Sequence, residues 1–229
     1  MRTYQTILFD ADNTLFDFSR AEREALTDTL RFSDIEPSES LICAYIEIND
    51  RLWKRLERGE ITKNELREER FREFCAAFGF QADVSRMANA YVEFLSQKTY
   101  LIDGALEICR ALADKYRLYI VTNGIKTVQE RRFAGSLLKP YFSGVFISEE
   151  LGFEKPNRGY FDAVAARIEG FSTASALIIG DSLTSDMKGG YLYGIDTCWY
   201  NPHGLQNKES LPITYEIKKL GSVLPLLLP

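Results

Sequence analysis

Two rhythms of apolar and polar positions divide the chain. From about residue 20 to residue 98 the apolar positions recur every three or four residues; from residue 103 onward, short apolar runs alternate with helical stretches. In the first region Ala21 to Leu30 reads as a helix with Ser19 as its N-cap. Ser38 to Arg58 reads as a second, carrying Leu41, Tyr45, Ile48, Leu52 and Leu56 on one face, and Gly59 closes it. Thr62 followed by Glu65 has the form of a capping box, opening a charged helix that runs through Phe78 and stops at Gly79. Asp83 or Ser85 opens a fourth, through Met87, Tyr91 and Leu95.

The second region predicts strands at Leu118–Val121, Gly144–Ser148, Ala176–Ile179 and Ile195–Tyr200, and Ile7-Leu8-Phe9 supplies one more ahead of the helices. Helices are expected at Ala105–Lys115, after Gly124, at Tyr160–Ile168 and at Ser185–Tyr193. Apolar β-type runs alternating with helices mean a parallel sheet covered on both faces. The expected fold class is therefore α/β. A Rossmann-like parallel-sheet core is formed by residues 1–16 and 99–229, and an α-helical domain of residues 17–98 is inserted after the first strand.

Composition narrows the classes. The chain of 229 residues is 45% hydrophobic and 27% charged, ordinary for a globular protein, and its net charge of −5 without a basic block argues against binding a nucleic acid polymer. No secretory signal and no membrane-length apolar stretch is seen, and Cys43, Cys75, Cys109 and Cys198 are scattered, as expected of reduced thiols in a cytoplasmic protein. The only histidine, His203, sits in a loop sequence, which leaves little room for a His-based triad or zinc site.

The chemistry collects where the strands end. The first strand runs into Asp10 and Asp12, separated only by Ala11. Two partly desolvated carboxylates so close raise each other's pKa unless a cation sits beside them, so the pair implies a metal, a basic partner or an open cleft. Thr122 and Asn123 follow a later strand, Lys155 lies in a loop stopped by Pro156, and Asp181 follows another strand with Asp186 one helical turn beyond. In an open α/β sheet these carboxyl ends are where ligands bind. Mg²⁺ suits Asp10 and Asp181 with positions left for water and phosphate oxygens. Phosphate-monoester hydrolysis needs such help, because positioning and charge neutralisation must supply roughly 20 kcal/mol or more.

In this order, Asp10 to Leu15, Thr122 to Gly124, Lys155-Pro156 and Gly180 to Asp186 resemble the four motifs of the haloacid dehalogenase superfamily. Asn13 stands where most members have Gly, and Asn tolerates a left-handed backbone. The resemblance implies that Asp10 is a nucleophile carrying an aspartyl-phosphate and that Asp12 is the general acid and base, with its backbone carbonyl on Mg²⁺. It further implies that Thr122, the Asn123 amide and Lys155 bind phosphate, with Lys155 neutralising charge in catalysis. Asp181 would be a direct metal ligand, with Asp186 behind it. An acid near a helix start such as Asp186 is also placed to cap that helix.

The chain is similar over nearly its whole length to the bacterial pyrimidine 5′-nucleotidases, through Leu52-Trp53, Gly59 to Thr62, Ile147 to Glu150, Lys155 to Asn157 and Thr197 to Asn201. This implies a Mg²⁺-dependent phosphatase acting on a small phosphorylated metabolite, a pyrimidine nucleotide first. A sugar-phosphate phosphatase or phosphomutase is the alternative, and a phospho-accepting signalling receiver a distant one. Phe16, Phe18 and Trp53 are candidates for the face on which a base stacks, although packing would explain them as well. The Arg and Glu runs from Arg51 to Arg72 read as solvated helix faces.

Overall fold

The computed structural model describes residues 3–228. Six strands form one parallel sheet: β1 (Thr6–Phe9), β2 (Arg117–Thr122), β3 (Gly144–Ile147), β4 (Ala176–Gly180), β5 (Asp196–Tyr200) and β6 (Tyr215–Ile217), in the order β3-β2-β1-β4-β5-β6. The central strands β1 and β4 are buried along their whole length, as continuous apolar runs in a doubly covered sheet require. β1 lies between β2 and β4, and the chain winds outward in opposite directions from this pair. The topological switch point, where such sheets bind ligands, therefore falls beyond Phe9 and Gly180. The sequence reading does not include β6, whose three residues pair with Cys198 to Tyr200 and are too few to show a period.

Between β1 and β2 the chain forms α1 (Phe18–Phe32), α2 (Glu39–Glu57), α3 (Lys63–Phe78) and α4 (Val84–Ser96). Local chemistry sets their ends. The Ser38 hydroxyl accepts from Leu41 N, Thr62 and Glu65 make the reciprocal capping box, Asp83 caps α4, and Gly59 and Gly79 take φ of +72° where a side chain would be strained. Ser19 does not cap α1. Asp17 does, accepting from Arg20 N, while Ser19 donates through its amide and hydroxyl to Asn13 Oδ1. The four helices enclose Leu26, Tyr45, Leu52, Phe71, Phe74 and Tyr91, and this cluster extends to Ile125 and Val128 beside the sheet.

The remaining helices are α5 (Ala105–Ala113), α6 (Lys126–Ala134), α7 (Ser148–Leu151), α8 (Arg158–Ala165), α9 (Lys188–Tyr193) and α10 (Leu224–Leu227). α9 is shorter than the sequence predicts, because residues 183–187 form a wide π turn before it. The chain enters and leaves the four-helix unit by neighbouring segments. Phe16 bridges to Leu101, Asp17 N donates to Tyr100 O at 3.0 Å, and Ile102 N donates to Leu15 O at 2.9 Å. Among the described residues no helix is long and apolar enough to cross a membrane.

Candidate active site

The register of β1 against β4 continues one residue past the strand, with Asp10 N donating to Ile179 O at 2.8 Å, so Asp10 stands fixed at the switch point. Lys155 reaches it from the loop after α7. Its Nζ donates to Asp10 Oδ1 at 2.7 Å, Asp186 Oδ1 at 2.6 Å and Val121 O at 2.7 Å, which uses all three ammonium protons. A phosphoryl oxygen would therefore bind Lys155 by taking the place of one of these acceptors. Burial opposes the charge on Lys155, but the carboxylates of Asp10 and Asp186 outweigh it and hold the ammonium above the usual lysine range.

Asp10, Asp181 and Asp186 each bring a carboxylate oxygen within 4.8 Å of the others. Burial, then the charge of Asp186, pushes the Asp10 carboxyl up to about 7, with Lys155 pulling it back. Asp181 is raised well above the usual range by burial and then by Asp10 and Asp186. One lysine does not neutralise three acids, and this all-oxygen set fits a hard divalent cation. The cluster depends on Gly180, since a Cβ there would lie 2.3 Å from Asp186 Oδ2. Asp186 does not cap the helical segment in which it lies. Ser182 does, accepting from Ser185 N, and Asp186 Oδ2 accepts from Ser182 N at 3.2 Å. The indole of the buried Trp199 holds the next turn by donating to Asp181 O at 2.8 Å.

Asp12 lies two residues on, just before the turn in which Asn13 takes φ of +58°. Its carboxylate accepts from Gln129 Nε2 and from Arg132 Nη1, both on α6. Gln129 packs over Gly124, where a Cβ would fall 2.0 Å from its Nε2 and push the amide aside. Arg132 is fully buried; it also donates to Lys98 O at 3.0 Å and lies 4.6 Å from the centre of the Phe16 ring. This corrects one expectation. Phe16 is 1% exposed in the core beneath Arg132 and does not line the cavity, so it offers no face for a base. Neither Gln129 nor Arg132 follows from the motifs. The signal for Arg132 is its place one turn after the apolar Val128.

Thr122 and Asn123 lie where expected, at the end of β2 on the cavity wall. The Thr122 hydroxyl accepts from Gly124 N at 3.0 Å. The Asn123 side chain grips the backbone of Lys155 twice, donating to its carbonyl and accepting from its amide, each at 2.9 Å, which fixes the lysine's origin. Lys155 is joined to Pro156 by a cis peptide bond.

These groups form one end of a cavity of about 230 Å³; the other end is lined by Phe18, Trp53, Arg70 and Leu95, from all four inserted helices. Arg70 corrects the reading of the Arg51–Arg72 stretch as solvated, since it is 1% exposed. Polar contacts tie the inserted helices to the segments around the site: Lys63 Nζ to Ser148 Oγ and Glu154, Arg67 to Glu149, and Thr184 Oγ1 to Glu57.

The model of the haloacid dehalogenase-like hydrolases matches residues 4–191. The chain is 41% identical to the HAD-hydrolase YfnB of Bacillus subtilis over 227 residues, 99% of this chain and 97% of that one. It is also 41% identical to the pyrimidine 5′-nucleotidase PynA of Streptococcus pneumoniae over 225 residues, 98% of this chain and 95% of that one. The crystal structure of YfnB bound to magnesium superposes with a TM-score of 0.94 at 40% identity, covering 99% of this chain and 100% of that one. Matched along most of its length by the family model and nearly end to end by these relatives, the chain belongs to the haloacid dehalogenase-like hydrolases.

Proposed function

We propose that the protein is a Mg²⁺-dependent phosphatase that hydrolyses small phosphate monoesters through an aspartyl-phosphate on Asp10, with pyrimidine nucleoside 5′-monophosphates as its substrates. The observation that carries this reading is a single cavity with Asp10, Asp12, Lys155 and Asp181 at one end and Phe18 and Trp53 at the other. A phosphate fits the first end and a flat base the second. The relative PynA, a pyrimidine 5′-nucleotidase, supports the substrate class.

Asp10, Asp181 and the Asp12 carbonyl would hold the magnesium ion, with Asp186 behind them, a reading supported by the carboxylate spacing and by the magnesium-bound relative. When bound, the ion neutralises phosphoryl charge as a Lewis acid. The protein's own groups do the rest. An Asp10 oxygen forms a bond to phosphorus as the ester P–O bond breaks, and Asp12 gives its proton to the leaving alcohol. Asp12 then takes a proton from water, whose oxygen bonds to phosphorus as the Asp10–phosphorus bond breaks, returning Asp10 and free phosphate. Gln129 and Arg132 hold Asp12 for both proton transfers, Thr122 and Asn123 line the phosphate end, and Lys155 orients Asp10. Residues 17–98 serve as a cap that supplies the base end.

The test is phosphate release from UMP, CMP, dTMP and ribose 5-phosphate with Mg²⁺, for the wild type and Asp10→Asn. Release should be fastest from the nucleotides and fall by about 10⁴-fold or more in the variant. Faster release from ribose 5-phosphate would replace nucleotides with sugar phosphates as substrates. A single stable phosphorylation without turnover would reject hydrolysis.

A further inference from the structure

The base end of the cavity contains a donor that phosphate chemistry does not use. Arg70 falls on α3 four residues from Leu66 and four from Phe74, so all three share one buried face. A guanidinium buried to this degree ordinarily has its N–H groups paired. In Arg70, Nε donates to Arg67 O at 3.3 Å and Nη1 to Asn49 Oδ1 at 3.5 Å, while Nη2 has no partner. The guanidinium is held over the ring of Tyr91, 4.4 Å from its centre, and the residue lines the cavity beside Phe18, Trp53 and Leu95. An unpaired N–H in such surroundings is costly, and an acceptor brought by a ligand removes that cost.

The surroundings select the kind of acceptor. Asn49 donates at 2.7 Å to Glu22, so a buried carboxyl already faces Arg70 across one amide. The cavity wall also carries Glu57 and the four aspartates against only Arg70 and Lys155. A second anionic group on a substrate would meet a surplus of negative charge there. A neutral acceptor on a flat ring would not, and Phe18 and Trp53 offer that ring an apolar wall. We infer that Arg70 is a specificity-determining residue whose Nη2 donates to a neutral carbonyl oxygen of the base, the C2 carbonyl shared by uracil, thymine and cytosine. The inference rests on the nucleotidase reading above and extends it to the group that reads the base.

The test compares kcat/KM for UMP, 2-thio-UMP and ribose 5-phosphate. In the wild type, replacing the C2 oxygen by sulfur, a weaker acceptor, lowers kcat/KM by about tenfold. In Arg70→Lys the ratio of kcat/KM for UMP to that for ribose 5-phosphate falls by about ten- to a hundredfold. A folded Arg70→Lys with an unchanged ratio overturns the inference, because a structural defect would lower both substrates together. If that variant does not fold, the sulfur comparison on the wild type decides, and equal turnover of UMP and 2-thio-UMP overturns it. A wild type that does not prefer UMP to ribose 5-phosphate rejects the nucleotidase reading itself. Preference with an unchanged ratio rejects Arg70 alone.

Discussion

The core end of the cavity consists of reacting groups paired with one another at short range, and its one open guanidinium nitrogen, Arg132 Nη2, lies off the cavity wall, whereas the helical end consists of rings and the incompletely paired guanidinium of Arg70 on the wall itself. Lys155 spends every proton on Asp10, Asp186 and Val121, and the Asp12 carboxylate is held by Gln129 and Arg132. Arg70, at the other end, keeps an N–H without a partner. The difference divides the labour. An end whose reacting groups are paired is preorganised for one reaction on any phosphate ester, and an end with an open donor on the cavity wall is free to discriminate among what the ester carries.

The strongest way to break this comparison is to remove the ion that ties the core end together. Lys155→Met leaves Asp10 and Asp186 facing each other at a buried site, so fold and chemistry should fail together. Activity is expected to fall by roughly a thousandfold, and stability by about 3–5 kcal/mol in a denaturant titration. A variant as stable as the wild type would mean that the two carboxylates are not held by this lysine.

The next pair of variants separates two aromatic positions, Phe16 and Trp53, that the sequence grouped together. Phe16→Ala empties a core site under Arg132 and should cost about 3–5 kcal/mol of stability. Trp53→Ala, on the cavity wall, should instead raise KM for UMP by roughly tenfold with a small change in melting temperature. Equal effects of the two changes on KM would restore Phe16 to the base site.

The same contrast explains what was legible in the sequence. Asp10, Asp12, Thr122, Asn123, Lys155 and Asp181 each sit at a strand end or in a loop beside Gly or Pro, and in a parallel sheet topology brings such ends together. The helix ends were readable because caps are local, as with Thr62 and Glu65, though a cap shifts easily by two residues, as Asp17 in place of Ser19 shows. Arg70 stayed hidden because it stands among Arg67, Glu68, Glu69, Arg72 and Glu73, and charge usually means solvent. Its phase gave it away: four residues from Leu66 and from Phe74, it lies where an apolar residue belongs. Phe16 failed for the opposite reason, since proximity to a catalytic turn says nothing about which way a ring points once the backbone bridges to Leu101.

A last effect, spread over a range of pH, concerns how the open donor is balanced. Burial first, then the charge of Asp50, raises the Glu22 carboxyl to about 7, and Asn49 and Arg70 pull it back. A carboxyl whose folded pKa exceeds its unfolded value of 4.5 is held in its protonated form by folding, so the native state binds more protons between these values. Stability from this group is therefore complete below pH 4.5, declines as pH rises to about 7, and stays at the lower level above it. Glu22→Gln keeps an acceptor for Asn49 and removes the titration. Its stability relative to wild type should rise by up to about 3 kcal/mol between pH 4.5 and 7, superimposed on a pH-independent offset from exchanging a carboxyl for an amide at a buried site. Denaturant titrations of both proteins at pH 4.5, 6 and 8 separate the two contributions. A pH-independent difference would mean that Glu22 remains ionised throughout, and Arg70 would then be neutralised by a full carboxylate even before a base arrives.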